Sequence, residues 1–344
     1  MPTRCVAAGI ALALAAVIPA LAHARAKTDV VFLTNGDRIT GEIKHFDRGI
    51  LTLGTDGIGT INIEWDDVDS VSSVYQFRVE DHAGTKYFGS LLLARNGVLQ
   101  IAHQGRTDEI LQAGVVAMTP LEASFWEQLD GSLSFGLSYT KANRLGQLTL
   151  DAAVRRVTRY RWTEFEISSL STSQEDRETQ TRDEVTLTHR RLFGGKLFGT
   201  GGVAFQHNDE LGLDLRSSVS LGAGANLIRT NHNDLIVTAG LSGNQEQSAG
   251  VAADVYNLEA FFSLGFEMFR YDSPKTDIKS EMTAYPNLTT WGRVRSELDL
   301  SARREIAKDF FLSLSLYDSY DSEPADAAAQ KNDYGLVTSI GWSF

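Results

Sequence analysis

The chain ends Asp333-Tyr334-Gly335-Leu336-Val337-Thr338-Ser339-Ile340-Gly341-Trp342-Ser343-Phe344, and this stretch decides how the rest is read. In an extended strand successive side chains point to opposite faces. Tyr334, Leu336, Ile340, Trp342 and Phe344 therefore share one face, while Asp333, Gly335, Ser339, Gly341 and Ser343 share the other. An aromatic face at a chain end is costly in water. It is at home where it meets lipid and the opposite face lines a wet interior.

The same alternation runs backward through the sequence. Leu133, Phe135, Leu137 and Tyr139 oppose Ser132, Ser134, Gly136 and Ser138. Leu213, Leu215, Val219, Leu221, Ala223, Ala225 and Leu227 oppose Arg216, Ser218, Ser220, Gly222, Gly224 and Asn226. Segments of this kind fall near 131–140, 147–156, 161–170, 182–191, 197–206, 212–227, 234–243, 255–268, 276–285, 293–303, 309–319 and 333–344. Short and long connections alternate between them, which is the asymmetry of a transmembrane antiparallel β-barrel of about twelve strands. A soluble β-sandwich also alternates. Against it stand the apolar face on every strand, the scarcity of proline (6 residues against 30 glycines) and aromatics near strand ends. Trp126, Trp162, Tyr271, Trp342 and Phe344 are expected at one headgroup level, and Tyr139, Tyr256, Trp291 and Tyr334 at the other. Tyr334, Leu336, Ile340, Trp342 and Phe344 also resemble the terminal signal that the assembly machinery of outer-membrane barrels reads.

At the other end, Arg4 precedes an apolar run from Ala7 to Leu21, followed by Ala22-His23-Ala24 and Ala24-Arg25-Ala26. This reads as a secretory signal over 1–24, with cleavage after 24 or after 26, and not as an anchor, for which the run is short. Cys5, the only cysteine, lies within it, so the exported chain has no disulfide and no thiol chemistry. A net charge of -12 argues against nucleic acid as a partner.

Between signal and barrel the sequence repeats itself. Asn35-Gly36-Asp37-Arg38-Ile39-Thr40-Gly41 aligns with Ala83-Gly84-Thr85-Lys86-Tyr87-Phe88-Gly89, an offset that slips by one residue after Leu51 and Leu99. Asn35, Gly36 and Asp37, like Gly84, suit tight hairpin turns. Gly41 and Gly89 suit a bend or a close backbone approach within a strand. The expected organisation is an all-β chain: two small SH3-like or Sm-like β-modules, 29–76 and 77–124, in the periplasm, then an outer-membrane barrel over 125–344.

A run Asn35-Gly36-Asp37-Arg38-Ile39-Thr40-Gly41-Glu42-Ile43 in a secreted chain, followed by a barrel pattern, resembles the bacterial family labelled domain of unknown function 481. The resemblance takes in most of the mature chain. Members carry the label salt-induced outer-membrane protein. It implies an outer-membrane address in a Gram-negative bacterium, and it implies no catalytic residues.

The expected lumen residues are Arg155, Glu166, Arg190, Arg216, Glu259, Glu267, Glu281, Arg293, Arg295, Glu297, Asp299 and Arg303, with Glu164 and Glu184 on the same side. Confined charges must pair or stay hydrated. They either form a salt-bridge network that stiffens or plugs the interior, or line acid and base walls of a narrow channel. Asp66-Asp67-Val68-Asp69 and the loop from Asp318 to Asp326 are acid-rich but read as solvated turns, because calcium needs several oxygens converging on one point. His189, His207 and His232 have no serine or paired acid at motif spacing. No catalytic residue, cofactor or metal is therefore assigned. Three functions follow in order: a narrow passive channel for small polar solutes; a non-conducting envelope protein whose modules bind a partner or the cell wall; and, far behind, a lipid-acting enzyme. The expected contacts are outer-membrane lipid, lipopolysaccharide and, during biogenesis, the barrel assembly machinery.

Overall fold

At the first repeat's hairpin, Gly36 has φ +93°, and the turn closes through Leu33 N to Asp37 O at 2.8 Å and Gly36 N to Leu33 O at 2.9 Å. The second copy does the same 48 residues on: Gly84 has φ +82°, with Asp81 N to Thr85 O at 3.1 Å and Gly84 N to Asp81 O at 2.9 Å. The computed structural model describes residues 25–93, 97–121, 125, 128–141, 144–174, 179–209, 213–248, 255–307, 310–323 and 331–342.

The first repeat supplies β1 (Asp29–Leu33), β2 (Arg38–Asp47), β3 (Ile50–Gly54), β4 (Thr60–Glu64), a 3-10 turn (Trp65–Asp67) and the start of β5 (Val68–Asp81). The second uses the end of β5, then β6 (Lys86–Leu92), β7 (Val98–His103), β8 (Arg106–Leu111), a 3-10 turn (Gln112–Gly114) and β9 (Val115–Pro120). The one-residue slip is visible in the bonds: Trp65 N to Gly49 O at 2.9 Å in one copy is Gln112 N to Gly97 O at 2.8 Å in the other. These two equivalent residues also join the copies, since Trp65 Nε1 donates to Gln112 O at 2.9 Å and Gln112 Nε2 donates to Val68 O at 2.6 Å.

The copies are not two separate barrels. They share β5 and one sheet of order β4-β3-β2-β1-β5-β6-β7-β8, with β9 paired to both β2 and β5. One apolar core takes Val31, Ile43, Phe46 and Trp65 from the first copy and Phe77, Leu91, Ile101 and Met118 from the second. Half a core is too small to fold alone, so fusion is what makes such short repeats stable.

The remainder is a single antiparallel meander. Its strands are β10 (Leu129–Thr140), β11 (Leu145–Val157), β12 (Arg161–Gln174), β13 (Gln180–Leu192), β14 (Leu197–Asn208), β15 (Leu213–Arg229), β16 (Asn233–Ser248), β17 (Val255–Arg270), β18 (Thr276–Pro286), β19 (Val294–Ala307), β20 (Phe310–Asp321) and β21 (Asn332–Trp342). The sheet has twelve strands in sequence order, the number and order expected. Among the described residues no ladder joins β10 to β21, so these two are the edges of the sheet. Compact turns (158–160, 193–196, 230–232, 271–275) lie at one end and longer connections (249–254, 287–293, 322–331) at the other.

The outward face is apolar and open. Phe135 is 67%, Leu221 70%, Phe262 58%, Ile340 69% and Trp342 62% exposed. Leu213, expected outward, is instead 6% exposed at the mouth of β15, where β14 and β15 shift register. Phe344 and Trp126 lie outside the described residues, as does the 1–24 segment.

Gly41 and Gly89 fulfil the expectation of a close approach. A Cβ on Gly41 would lie 2.7 Å from Gly54 O, and one on Gly89 would collide with the Ala102 carbonyl. Gly89→Ala is expected to destabilise the N-terminal module by about 1–3 kcal/mol through overpacking. Gly57→Ala, with nothing within 4 Å, is expected to stay within about 0.5 kcal/mol. Denaturant unfolding of both variants, followed by Trp fluorescence, checks the contrast.

Candidate functional site

Alternation gives the twelve-stranded sheet an inner face, and that face curls enough to bring distant strands together. One inner cavity of about 230 Å³ is lined from β13 through β19, including Glu184, Arg216, Tyr285, Arg295 and Glu297. A second, of about 360 Å³, is lined by β10 to β13 with Ser132, Ser134, Asp151, Glu166 and Ser168. Of the expected lumen residues, Arg216, Arg295 and Glu297 line the first cavity and Glu166 the second, with Glu184 at both.

Most of the inner charges at the long-connection end form a network. Arg295 holds Glu259 with a two-pronged fork, Nε to Oε1 at 3.1 Å and Nη2 to Oε2 at 2.8 Å. Glu259 is fully buried (0% exposed) and also accepts from Asn244 Nδ2 at 2.9 Å. A ladder of amides continues, Asn257 donating to Asn244 at 3.1 Å and Asn287 donating to Asn257 at 2.9 Å. Beside it, Arg216 meets Glu246 at 3.1 Å, Glu246 meets Arg293 at 3.7 Å, and Arg293 forks onto Asp321 at 3.1 and 2.7 Å. Arg293, which stands just before β19, is held above the usual guanidinium range by its bond to Asp321. Bidentate pairs of this kind are the strong form of charge-assisted hydrogen bond.

The remaining expected residues are dispersed. Arg155 makes an open contact with Asp130 at 3.3 Å, and Glu166 accepts from Thr186 Oγ1 at 3.3 Å. Arg190 lies over the rings of Trp162 and Phe198, at 4.9 and 4.5 Å, and Arg303 lies over Phe311 at 4.2 Å. Glu281 stands opposite Asp299 in the β18–β19 ladder, outside the network. Trp162 therefore belongs to the inner face, alongside Glu164 and Glu166, and not to an outer aromatic girdle.

At the compact-turn end the sheet is met by the N-terminal module. Arg48, at the β2–β3 tip, reaches Glu267 at 3.2 Å and Asp277 at 2.8 Å and lies over the Phe269 ring at 4.6 Å. Arg229 bridges back to Asp47 at 3.1 Å and Glu80 at 3.4 Å. Lys86 Nζ donates to Gly195 O at 2.8 Å, and Arg78 donates to Thr158 O at 3.1 Å. Burial in this interface pushes both Arg78 and Lys86 below their ordinary values, opposed by the nearby Glu80 carboxylate. Backbones touch as well: a Cβ on Gly49 would sit 2.8 Å from Asn231 O, and one on Gly84 2.8 Å from Gly195 C. The module thus meets three successive compact turns (158–160, 193–196 and 230–232) and, through Arg48, the facing ends of β17 and β18.

Sequence reasoning missed Asn244, Glu246, Asp321, Asp47, Glu80 and Arg48. The expected strand 234–243 stops just before Asn244, whereas β16 continues to Ser248; continuing the alternation would have placed Asn244 and Glu246 inside. Asp321 was assigned to a solvated loop but ends β20 and is committed to Arg293. The module contacts have no sequence signal. His207 points away from this face, its Nδ1 donating to Asp214 O at 2.9 Å and its Nε2 3.3 Å from Asp209. Among the described residues no three His, Cys, Asp or Glu side chains are grouped to hold a metal.

Fold and site together define an all-β protein with a duplicated, fused β-module seated on a twelve-stranded up-and-down sheet whose inner face is charged. The profile of the family described as "Protein of unknown function, DUF481" matches residues 133–344, and the chain belongs to that family. The match covers all but the first residues of the twelve-stranded sheet, the barrel pattern of the expected resemblance, and does not extend to the Asn35–Ile43 run. No curated protein matches the sequence.

Removing Arg295 leaves Glu259 as a buried, uncompensated charge. Arg295→Ala is expected to cost about 3–5 kcal/mol, whereas Asp130→Ala, breaking an exposed pair, is expected to cost at most about 1 kcal/mol. Urea unfolding midpoints of the detergent-refolded variants measure the difference.

Proposed function

We propose that this protein is an outer-membrane β-barrel held shut at its periplasmic mouth by its own N-terminal module, an envelope protein that does not conduct at rest. The module's seat on three compact turns and on the ends of β17 and β18 carries this reading. Arg48 reaches Glu267, Phe269 and Asp277 at the compact-turn end of the sheet, and at the long-connection end the Arg295–Glu259 and Arg293–Asp321 forks fasten the wall from β17 to β20. A general porin leaves an aqueous path open from one end to the other. The membrane address is supported by the outward apolar face, by the signal-like segment before Arg25 and by the aromatic last strand. An outward surface of Leu, Phe and Ile on nearly every strand is far larger than the patches that soluble monomers tolerate.

The same reading places signal cleavage after Ala24. Asp29 is fully buried (0% exposed); its carboxylate accepts from Ile43 N at 2.8 Å and Ser73 Oγ at 2.5 Å and is paired with the Arg25 guanidinium. Cleavage after Ala26 would strand that charge.

Two measurements test this. In planar bilayers the refolded full chain is expected to be silent, while the double variant Arg48→Glu, Arg229→Glu, which sets like charges against Asp277 and Asp47, opens a steady current; a wild-type chain conducting as well as the variant refutes the cap. Intact-mass analysis of the exported protein is expected to give Arg25 as its first residue, and a start at Lys27 contradicts the assigned role of Arg25.

A further inference from the structure

The 230 Å³ cavity between β13 and β19 is unusual in how its charge is shared out. Its two arginines are already engaged on the back wall, Arg295 on Glu259 at 3.1 and 2.8 Å and Arg216 on Glu246 at 3.1 Å. Its two carboxylates are not matched in the same way. Glu184 is bonded by the neutral Gln206 amide at 3.0 Å, and Glu297 meets a cation only at 3.9 Å, the Nη1 of the committed Arg295. Glu184 and Glu297 come from strands far apart in the sheet, and the cavity lies between them.

The floor is built for a ring. Phe261 lies against Gly222 and Gly240, where added Cβ atoms would come within 2.8 and 2.6 Å of it. Any larger residue at those positions would push the ring into the cavity. Its exposed face, beside Tyr285, is therefore a fixed aromatic surface in a space ringed by hydroxyls.

From this geometry we infer that the cavity binds a small organic cation bearing ammonium groups, with Glu184 and Glu297 as counter-charges and Phe261 as the surface under its methylenes. An anion would find both arginines occupied. A neutral polyol would leave Glu184, which has only the Gln206 amide, and the half-exposed Glu297 without a dedicated cation. An ammonium group satisfies carboxylates by charge-assisted hydrogen bonds and gains further from an aromatic face. The volume suits a short diamine and exceeds that of a bare metal ion. The inference needs the inner face of the sheet but not the cap, so it stands or falls separately from the conductance result.

Isothermal titration of the detergent-refolded full chain with 1,4-diaminobutane, at ionic strength held constant with sodium chloride, tests it. Saturable binding is expected for the wild type. Glu297→Gln alone is expected to weaken it about tenfold, and Glu184→Gln with Glu297→Gln to weaken it further. Glu109→Gln, on the exposed face of the module, leaves it unchanged. Heat-modifiable gel migration establishes that each variant is folded, and the isosteric single variant serves if the double one is not. Absence of saturable binding to folded wild type overturns the inference. So do equal affinities in wild type and Glu297→Gln, or displacement of the diamine by an equal concentration of sodium.

Discussion

Charges that share a confined interior cannot be placed independently, and the arrangement of this protein follows from that constraint. Period-two alternation sends every second residue of twelve strands to one concave face, whatever its identity. An isolated ion there would lose several kcal/mol of solvation. The sequence therefore supplies Arg295 with Glu259 and Arg293 with Asp321 as planar forks, and sets Asn244, Asn257 and Asn287 where their amides can pass hydrogen bonds along. Arg190 and Arg303 instead lie over aromatic rings, those of Trp162 and Phe198 and that of Phe311.

The N-terminal module answers the same requirement at the other end. Glu267 has only Lys279 of its own sheet at 3.7 Å, and Arg48 comes from the module to meet both Glu267 and Asp277 at 3.2 and 2.8 Å. Arg229 is compensated from the module by Asp47 and Glu80. Docking is thus an exchange of counter-ions in both directions, made possible by glycines at two hairpin tips. Gly49 and Gly84 provide turns with φ of +70° and +82° and let backbone approach backbone at Asn231 and Gly195. The two tips are not equivalent hairpins of the two copies, Gly49 matching Gly97 and Gly84 matching Gly36, yet the shared core presents both to the sheet.

Much of the architecture was legible because alternation is a local signal. All twelve strands appear where the periodicity placed them, and Arg216, Glu259, Arg293, Arg295 and Glu297 do meet on the inner face. The hairpin glycines and the one-residue slip between repeats were equally readable, since backbone bonds at Gly49 and Gly97 follow the alignment. What could not be read was pairing across the chain. Nothing near Arg48 names Asp277, and nothing near Trp65 announces that its partner Gln112 would bind the copies into one core. Glu246 and Asp321 were lost for a simpler reason: strand ends are set by the partner strand and not by local composition, so residues just past an expected boundary were assigned to water.

The edges of the sheet bear on how such a structure behaves in a membrane. β10 and β21 run antiparallel at the two ends of the meander, and both present apolar side chains outward, Leu133, Phe135 and Leu137 on one and Leu336, Ile340 and Trp342 on the other. In water an unpaired edge is satisfied by solvent. On the proposed membrane placement, each unpaired backbone group would cost several kcal/mol in hydrocarbon, and pairing β10 with β21 would remove that cost. Closure on this view belongs to the environment more than to the side chains. The inner faces of the two strands, rich in Ser132, Ser134, Gly136, Gly335 and Gly341, contribute little side-chain contact of their own. The seam is then the part of the wall least fastened by specific interactions, while β15 to β19, carrying the forks and the amide ladder, form the part that holds its shape.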